Sequence, residues 1–143
     1  MQRPLLTILF YGSFIFSGLI MIMSMGWFLG LFGILLLPSM IIHILGGSRA
    51  LRWTPLLNKW VFLSSFMMLA FALIRPDMDD TRSYTGWSSL QYNLGFRSSQ
   101  YTQVPDWTWW AGIVLLVAML IIDIIMLRKG KKPPPVPESN EYV

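Results

Sequence analysis

Cysteine is absent from this chain of 143 residues, and histidine occurs once, as His43. Without cysteine the chain has no disulfide, no thiolate nucleophile and no cysteine-ligated metal site. A haem usually needs two imidazoles or a histidine with a methionine, and zinc needs several ligands, so a lone histidine builds neither site unaided. No carboxylate stands near a serine at a spacing that argues for a nucleophile and its base. The sequence therefore predicts a non-enzyme with no catalytic, cofactor-binding or metal-binding residues.

Charged residues are also scarce. They form 13% of the chain, whereas hydrophobic residues form 55% and the mean hydropathy is +0.56. Soluble domains contain about 25% charged and about 45–50% apolar residues, so this composition predicts a protein whose solvent is the lipid bilayer. The net charge of +4 does not indicate nucleic acid as a partner. The basic residues gather at the ends of apolar runs, where membrane topology places them and where they favour anionic lipid headgroups.

Four apolar stretches are long enough to cross about 30 Å of hydrocarbon as helices. They run over residues 5–23, 27–46, 56–74 and 108–127. The first is expected to be a helix and not a secretion signal, because its apolar run exceeds the usual length of roughly 7–15 residues. The third is the weakest, since Asn58 and Lys59 interrupt its start. The prediction is an all-α, four-transmembrane-helix, up-down-up-down bundle in residues 1–128, with an ordered outer loop over 75–107 and a proline-rich basic tail over 129–143.

Basic residues are distributed unevenly between the two sides of this predicted bundle. Eight of the 11 lysines and arginines fall on one side: Arg3, Arg49, Arg52, Lys59, Arg128, Lys129, Lys131 and Lys132. Because positive residues stay on the cytoplasmic side of a membrane, both termini are predicted to be cytoplasmic, in a plasma or bacterial inner membrane. Tryptophan agrees, since Trp27 and Trp107 then mark the outer interface and Trp53 and Trp60 mark the inner one.

Glycine is placed at a spacing that favours helix packing. Gly26, Gly30 and Gly33 align along the second helix, and Gly26-x-x-x-Gly30 is a spacing that lets backbones approach closely in lipid. A turn of about three residues joins the first two helices, so these are predicted to pack on each other, with a dimer seam as the alternative. Gly112 is the corresponding residue of the fourth helix. Pro38 predicts a bend in the second helix, which is structural or, alternatively, a gate.

Asp123 is a lone carboxylate in the apolar run LIIDIIML. It shares a helical stripe with Gly112, which favours a position that faces a neighbouring helix. His43 and Asn58 lie at a similar depth, so three polar side chains from three helices are predicted to form a buried polar cluster near the cytoplasmic face. The cluster could relay protons, because an imidazole and a carboxylate exchange protons near neutral pH. Alternatively, Asp123 reaches water or a basic residue and sets the depth of its helix.

The predicted outer loop is longer than the roughly 12–15 residues at which unstructured connections become uncommon, so it is predicted to be ordered or bound. Alternating apolar residues predict a half-buried strand over 90–96, with residues 100–104 pairing back across 96–100 as a hairpin. An interfacial helical turn is the alternative. Aromatic residues favour a contact surface here. The predicted partner contacts are Tyr84, Trp87, Leu90, Tyr92, Leu94, Phe96 and Tyr101.

Three classes of function remain after this elimination. The first is a non-catalytic small subunit that stabilises or assembles a larger complex of integral membrane proteins through its helix faces and outer loop. The alternative is a small transporter or proton-handling protein that uses His43 and Asp123. A third is a lysis-type pore former, suggested by the small size and the basic tail. The expected partners are integral membrane proteins and the bilayer, without nucleic acid and without a cofactor.

Overall fold

A computed structural model describes residues 3–24, 26–78, 83–96 and 104–130 of the chain. Its helices and strands are α1 (Arg3–Met23), α2 (Trp27–Trp53), a 3-10 turn (Pro55–Leu57), α3 (Asn58–Ile74), β1 (Pro76–Met78), β2 (Ser83–Thr85), α4 (Gly86–Asn93) and α5 (Trp107–Lys129). Within these described ranges, four helices are long and apolar enough to cross a membrane. The chain is a mostly helical, multi-pass membrane protein.

Helix α2 is longer than predicted. The sequence placed its end at residue 46, but the helix continues to Trp53. Gly46 and Gly47 both lie inside it and are buried. Glycine inside a helix costs about 1 kcal/mol relative to alanine, and here the close contacts that these two glycines permit offset that cost. As a result, Arg49 and Arg52 stand on the last turns of a helix and not in a loop.

The long helices pack in an order that differs from the order of the chain. Helix α1 packs chiefly against α3, α2 packs chiefly against α5, and α3 also packs against α5, whereas α1 and α2 touch at few positions. A Cβ atom built on Gly33 would meet nothing within 4 Å, so Gly33 makes no close contact with another described helix of the chain, and the alternative of a dimer seam stays a prediction. Gly30 lies in α2 at a position whose surroundings fall outside the described part of the chain.

The apolar core lies between the helices in two clusters. One contains Leu6, Phe10, Ala50, Leu57, Val61, Ile122 and Met126. The other contains Ile20, Met21, Leu36, Met68, Phe71, Ala72 and Met119. Methionine is frequent in both, and its flexible side chain fills irregular gaps between helices. Large apolar side chains such as Ile34, which is 80% exposed, point away from the core, as expected for surfaces that face lipid.

The segment after β2 is a helix, and the strand predicted over 90–96 is wrong. Thr85 caps α4, because its Oγ1 accepts a hydrogen bond from the Ser88 N–H at 3.2 Å while Ser88 Oγ accepts one from the Thr85 N–H at 2.9 Å. This reciprocal pair is a capping box, which starts a helix. Gly95, with a φ of +76°, supports the turn that follows. The capping box therefore favours a helix more strongly than the four alternating apolar residues favour a strand.

The strand pairing in this segment lies elsewhere than predicted. Strands β1 and β2 are antiparallel, and Pro76 stands opposite Thr85, as Met78 does opposite Ser83. The hairpin predicted between 96–100 and 100–104 lies mostly outside the described residues. Gly86, at the start of α4, has no room for a side chain because its Cβ would meet the carbonyl oxygen of Ala72. This close approach holds the start of α4 against α3.

Candidate functional site

Asp123 meets His43 and Ser64 in the interior, where helices α5, α2 and α3 come together, and all three side chains are 0% exposed. Ser64 Oγ donates a hydrogen bond to Asp123 Oδ1 at 2.5 Å. His43 Nδ1 lies 3.0 Å from Asp123 Oδ2 and 3.0 Å from Ser64 Oγ. Both carboxylate oxygens therefore have a partner, and the lone carboxylate of LIIDIIML is held by two other helices. We refer to these three residues as the His–Ser–Asp cluster.

Gly46 allows the backbones of α2 and α5 to approach at this cluster. A Cβ atom on Gly46 would lie 2.6 Å from the carbonyl oxygen of Asp123 and 3.5 Å from the backbone nitrogen of Leu127. Close backbone approach at a small residue is a typical packing device in membrane helices. His43 stands almost one turn before Gly46, on the same face of α2, so its imidazole reaches α5. Gly46, and not Gly33, therefore makes the close contact between α2 and α5.

Two phenylalanines of α1 fix the plane of the His43 ring. The imidazole stacks on Phe10 with ring centroids 4.9 Å apart and on Phe14 with centroids 6.1 Å apart. These two residues stand about one turn apart and form an apolar wall. Gly47 makes room for this wall, because a Cβ at that position would overlap the ring of Phe10. All four long helices therefore contribute to the surroundings of the cluster.

The hydrogen bonds of the His–Ser–Asp cluster differ from those of a nucleophilic triad. In a nucleophilic triad, the serine and the carboxylate use different nitrogens of the imidazole, so that the ring accepts the serine proton. Here Ser64 donates to Asp123, and both partners share Nδ1 of His43. The other nitrogen, Nε2, is buried and has no hydrogen-bond partner in the described structure.

Asn58 does not join the hydrogen bonds of this cluster, so the prediction that placed it there is wrong. It is the first residue of α3 and lies six residues before Ser64, a distance of about 9 Å along a helix. Its Oδ1 atom is buried without a partner among the described residues. Ser64 was not among the predicted residues, and its neighbour Ser65 is an equally polar residue of the same helix. Ser65 Oγ donates instead to the Val61 carbonyl of its own helix at 2.8 Å.

A second buried polar network surrounds Arg75, directly after α3. Arg75 Nη1 donates to Asp77 Oδ2 in a close ion pair. Arg75 Nη2 donates to the carbonyl oxygen of Ser24 at 2.9 Å and to Ser24 Oγ at 2.8 Å. The guanidinium thus satisfies a carbonyl at the end of α1, where a cation is favourable. Arg75 is the first residue of the predicted outer loop, and its contacts with Asp77 and Ser24 were not predicted. We refer to these residues as the Arg75–Asp77 network.

Gly26 belongs to this network. The Gly26 N–H donates to Asp77 Oδ2 at 3.3 Å. A Cβ on Gly26 would lie 2.5 Å from Asp77 Oδ1 and 2.7 Å from Tyr84 Oη. Gly26 therefore packs against strands β1 and β2, and its predicted role in helix–helix packing is wrong. Gly112 of α5 is buried and makes an ordinary contact, since its Cβ would lie 3.8 Å from Arg75 Cα.

The residues predicted to contact a partner divide into two groups. The exposed ones are Trp87, Tyr92, Leu94 and Phe96. We refer to these four as the α4 surface. Tyr84 and Leu90 are half-buried, and Leu90 packs against the core cluster that contains Met68. Tyr101 lies outside the described residues.

Comparison with known proteins found no matching family, no similar curated protein and no similar solved structure. Among the described residues, no group of three or more histidine or acidic side chains could hold a metal ion. The class that the fold defines is a multi-pass membrane protein in which two polar networks are buried. The two networks are 11 residues apart in the chain, from Ser64 in α3 to Arg75 directly after it. This separation corresponds to about 16 Å along a helix.

Proposed function

We propose that this protein is a non-catalytic subunit that stabilises or helps to assemble a larger membrane complex. The observation that carries the proposal is the α4 surface, in which Trp87 is 52% and Phe96 is 79% exposed. Helix α4 packs against α1 and α3, so its aromatic side chains are presented on a fixed support. Large aromatic side chains on a rigid support supply contact area at little entropic cost, which favours binding to another protein.

The buried polar groups support the same proposal. Asp123 accepts from two other helices, and the Arg75 guanidinium donates to Asp77 and to the end of α1. Each charge is therefore engaged within the chain itself. Buried polar contacts of this kind fix the relative positions of helices in lipid, where apolar surfaces give no specific attraction between helices. A subunit that positions other proteins needs such a fixed arrangement.

The proposed topology is an up-down-up-down bundle with both termini in the cytoplasm and the connection between α3 and α5 on the opposite side. Four spans return the chain to the side on which it began. Arg49, Arg52, Lys59, Arg128 and Lys129 are exposed and flank the helix ends that would face the cytoplasm. This asymmetry supports the orientation, because positive residues near the ends of spans stay inside.

Mild extraction of the tagged protein, followed by native electrophoresis and identification of the co-migrating proteins, tests the proposed function. The wild-type chain should migrate in a complex with other integral membrane proteins. Phe96→Ala together with Trp87→Ala should release it, because both side chains leave the α4 surface. Phe66→Ala is the matched control, since Phe66 is 61% exposed on α3 and should face lipid. A wild-type protein that purifies alone, or a complex that survives the double substitution, contradicts the proposal.

The His–Ser–Asp cluster favours a second candidate, a proton-handling membrane protein. The supporting observation is the distance of 3.0 Å between His43 Nδ1 and Asp123 Oδ2 inside the spans, together with the unpartnered Nε2 atom. A carboxylate and an imidazole within a membrane span often belong to a proton path. Vesicles that contain the purified protein and a pH-sensitive dye test this candidate. Proton flux that is lost in Asp123→Asn would favour it over the subunit.

A further inference from the structure

The ends of α2 and α5 converge at Gly130. A Cβ atom on Gly130 would lie 3.1 Å from Arg49 Cβ and 3.2 Å from the backbone nitrogen of Ala50. It would also lie 2.8 Å from the carbonyl oxygen of Met126. Glycine therefore lets the last turn of α5 lie directly against α2. The extension of α2 to Trp53 is essential here, because it places Arg49 and Arg52 on the same turns of helix that α5 reaches.

This convergence collects positive charge at one place. The four exposed cations at the two helix ends are Arg49, Arg52, Arg128 and Lys129. We refer to them as the basic patch. Arg49 and Arg52 stand three residues apart, so their side chains emerge from neighbouring positions on the same helix face. Neither ion pair of the described structure involves any of the four.

The acidic residues of the described ranges do not neutralise this patch. Asp123 is buried in the His–Ser–Asp cluster, and Asp77 is buried in the Arg75–Asp77 network. Asp106 precedes the first residue of α5, a whole helix length away from Gly130. The basic patch therefore keeps its positive charge within the described part of the chain and can bind an anionic ligand.

The surroundings of the patch fit a lipid better than a free anion. Leu45 on α2 and Ile121 on α5 are about half exposed and apolar, and each lies within about two turns of the patch in the direction of the bilayer. Trp53 is also exposed, at the end of a span, where tryptophan usually marks the level of the headgroups. A ligand at this site meets positive charge at one end and lipid-facing hydrocarbon at the other. An anionic phospholipid has both parts, whereas a free phosphate has only the first.

We propose that the basic patch between the ends of α2 and α5 binds the headgroup of an anionic phospholipid. The guanidinium groups of Arg49, Arg52 and Arg128 donate hydrogen bonds to the phosphate oxygens, for which arginine is well suited by its planar set of donors. Lys129 adds a point charge. The acyl chains lie along the apolar faces of α2 and α5. This site is independent of the α4 surface and of any protein partner.

Native mass spectrometry of the purified full-length chain, titrated with lipids, tests the proposal. Phosphatidylglycerol should bind more tightly than phosphatidylcholine with the same acyl chains. Arg49→Gln with Arg52→Gln should weaken phosphatidylglycerol binding about thirtyfold, from roughly 1 kcal/mol for each basic residue near a membrane surface. Binding of phosphatidylcholine should not change. Arg82→Gln with Arg97→Gln removes the same charge from the connection between α3 and α5 and should keep the lipid preference.

A substitution without any change of charge provides an independent test. Gly130→Val keeps all four cations but adds bulk where a Cβ already meets the α2 backbone, so it should also weaken phosphatidylglycerol binding at an unchanged helix content. If this variant loses helix content, the glutamine variants decide alone. Equal binding of the two lipids, an equal loss in both charge variants, or displacement of phosphatidylglycerol by the same concentration of inorganic phosphate would each overturn the proposal.

Discussion

Simultaneous replacement of His43 and Asp123 by apolar residues should be far less damaging than either replacement alone. Asp123→Leu removes the acceptor of the Ser64 hydroxyl and one of the two partners of His43 Nδ1, at a site where all three side chains are 0% exposed. A buried polar group that loses its partner costs about 1–3 kcal/mol, and a hydrogen bond between membrane helices contributes about 0.6–1.7 kcal/mol. Ser64 can turn to a carbonyl of its own helix. We therefore expect Asp123→Leu to lower the free energy of unfolding by about 2–3 kcal/mol.

His43→Phe has a different effect at the same site. The new ring keeps the stacking on Phe10 and Phe14, but Asp123 loses one of its two donors. Removing one member of a buried hydrogen-bonded pair leaves the other without its partner, which is more costly than replacing both by apolar groups, so this variant should also lose about 2–3 kcal/mol. The double variant removes the carboxylate and the imidazole together. It should lose only about 1 kcal/mol, which gives a coupling free energy of about 3–5 kcal/mol.

Reversible unfolding in mixed micelles of a mild detergent and sodium dodecyl sulfate, followed by far-ultraviolet circular dichroism, measures these free energies. Asp106→Asn is the matched control, because it removes one carboxylate from an exposed position before α5 and should cost less than about 1 kcal/mol. If the double variant loses the sum of the two single losses within about 0.5 kcal/mol, the two residues are not coupled and the described contact does not stabilise the protein.

Arg75→Lys should lower the free energy of unfolding by about 2–4 kcal/mol, because one ammonium group cannot replace a guanidinium that donates through two nitrogens to two partners. Unchanged stability in the same unfolding measurement would contradict this prediction. Gly46→Ala should cost about 1–3 kcal/mol, since its Cβ would meet the α5 backbone, whereas Gly33→Ala, whose Cβ meets nothing within 4 Å, should change stability by less than about 1 kcal/mol. Equal effects of the two alanines would refute the packing argument. In intact cells, a cysteine that replaces Ser139 should resist a membrane-impermeant thiol reagent. A cysteine that replaces Ser83, which is exposed in β2, should react with it. Labelling at position 139 from outside would contradict the proposed orientation.

The spans were predictable from the sequence because a long apolar run with few charges has few solutions in lipid. Its backbone polar groups must all be satisfied within the segment, and a helix achieves this. The end of α2 was less predictable. Two adjacent glycines, Gly46 and Gly47, suggest the end of a helix when local propensity is considered alone. Their contacts with α5 and with Phe10 exist only in the folded protein, so local reasoning ended the helix too early.

The His–Ser–Asp cluster was predictable in part, for a related reason. A carboxylate and an imidazole inside apolar helices each require a partner, and the chain has only one histidine, so His43 and Asp123 were natural candidates for each other. A serine makes no such demand, because its hydroxyl can bond to a carbonyl of its own helix, as Ser65 does. The sequence therefore could not distinguish Ser64 from Ser65. The helix packing makes that choice.

Helix α3 connects the two buried networks. Ser64 lies in the His–Ser–Asp cluster, and Arg75, directly after the same helix, lies in the Arg75–Asp77 network. The first network joins α3 to α2 and α5, and the second joins the end of α3 to the end of α1 and to β1. Since apolar surfaces do not attract one another specifically in lipid, these two sets of contacts fix how far each helix is displaced along its neighbour.

This arrangement allows one variant to separate the two candidate functions. The double variant His43→Phe with Asp123→Leu should stay close to wild-type stability, because it keeps the aromatic stack and leaves no buried charge without a partner. It should therefore remain in the native complex if the protein is a structural subunit. A proton-handling protein would lose its flux in the same variant, since neither an imidazole nor a carboxylate remains at the site. Proton flux in vesicles of the wild-type protein that is lost in a stable double variant would overturn the subunit proposal. A double variant that stays in the complex, with no proton flux in vesicles of the wild-type protein or of the variant, would support it.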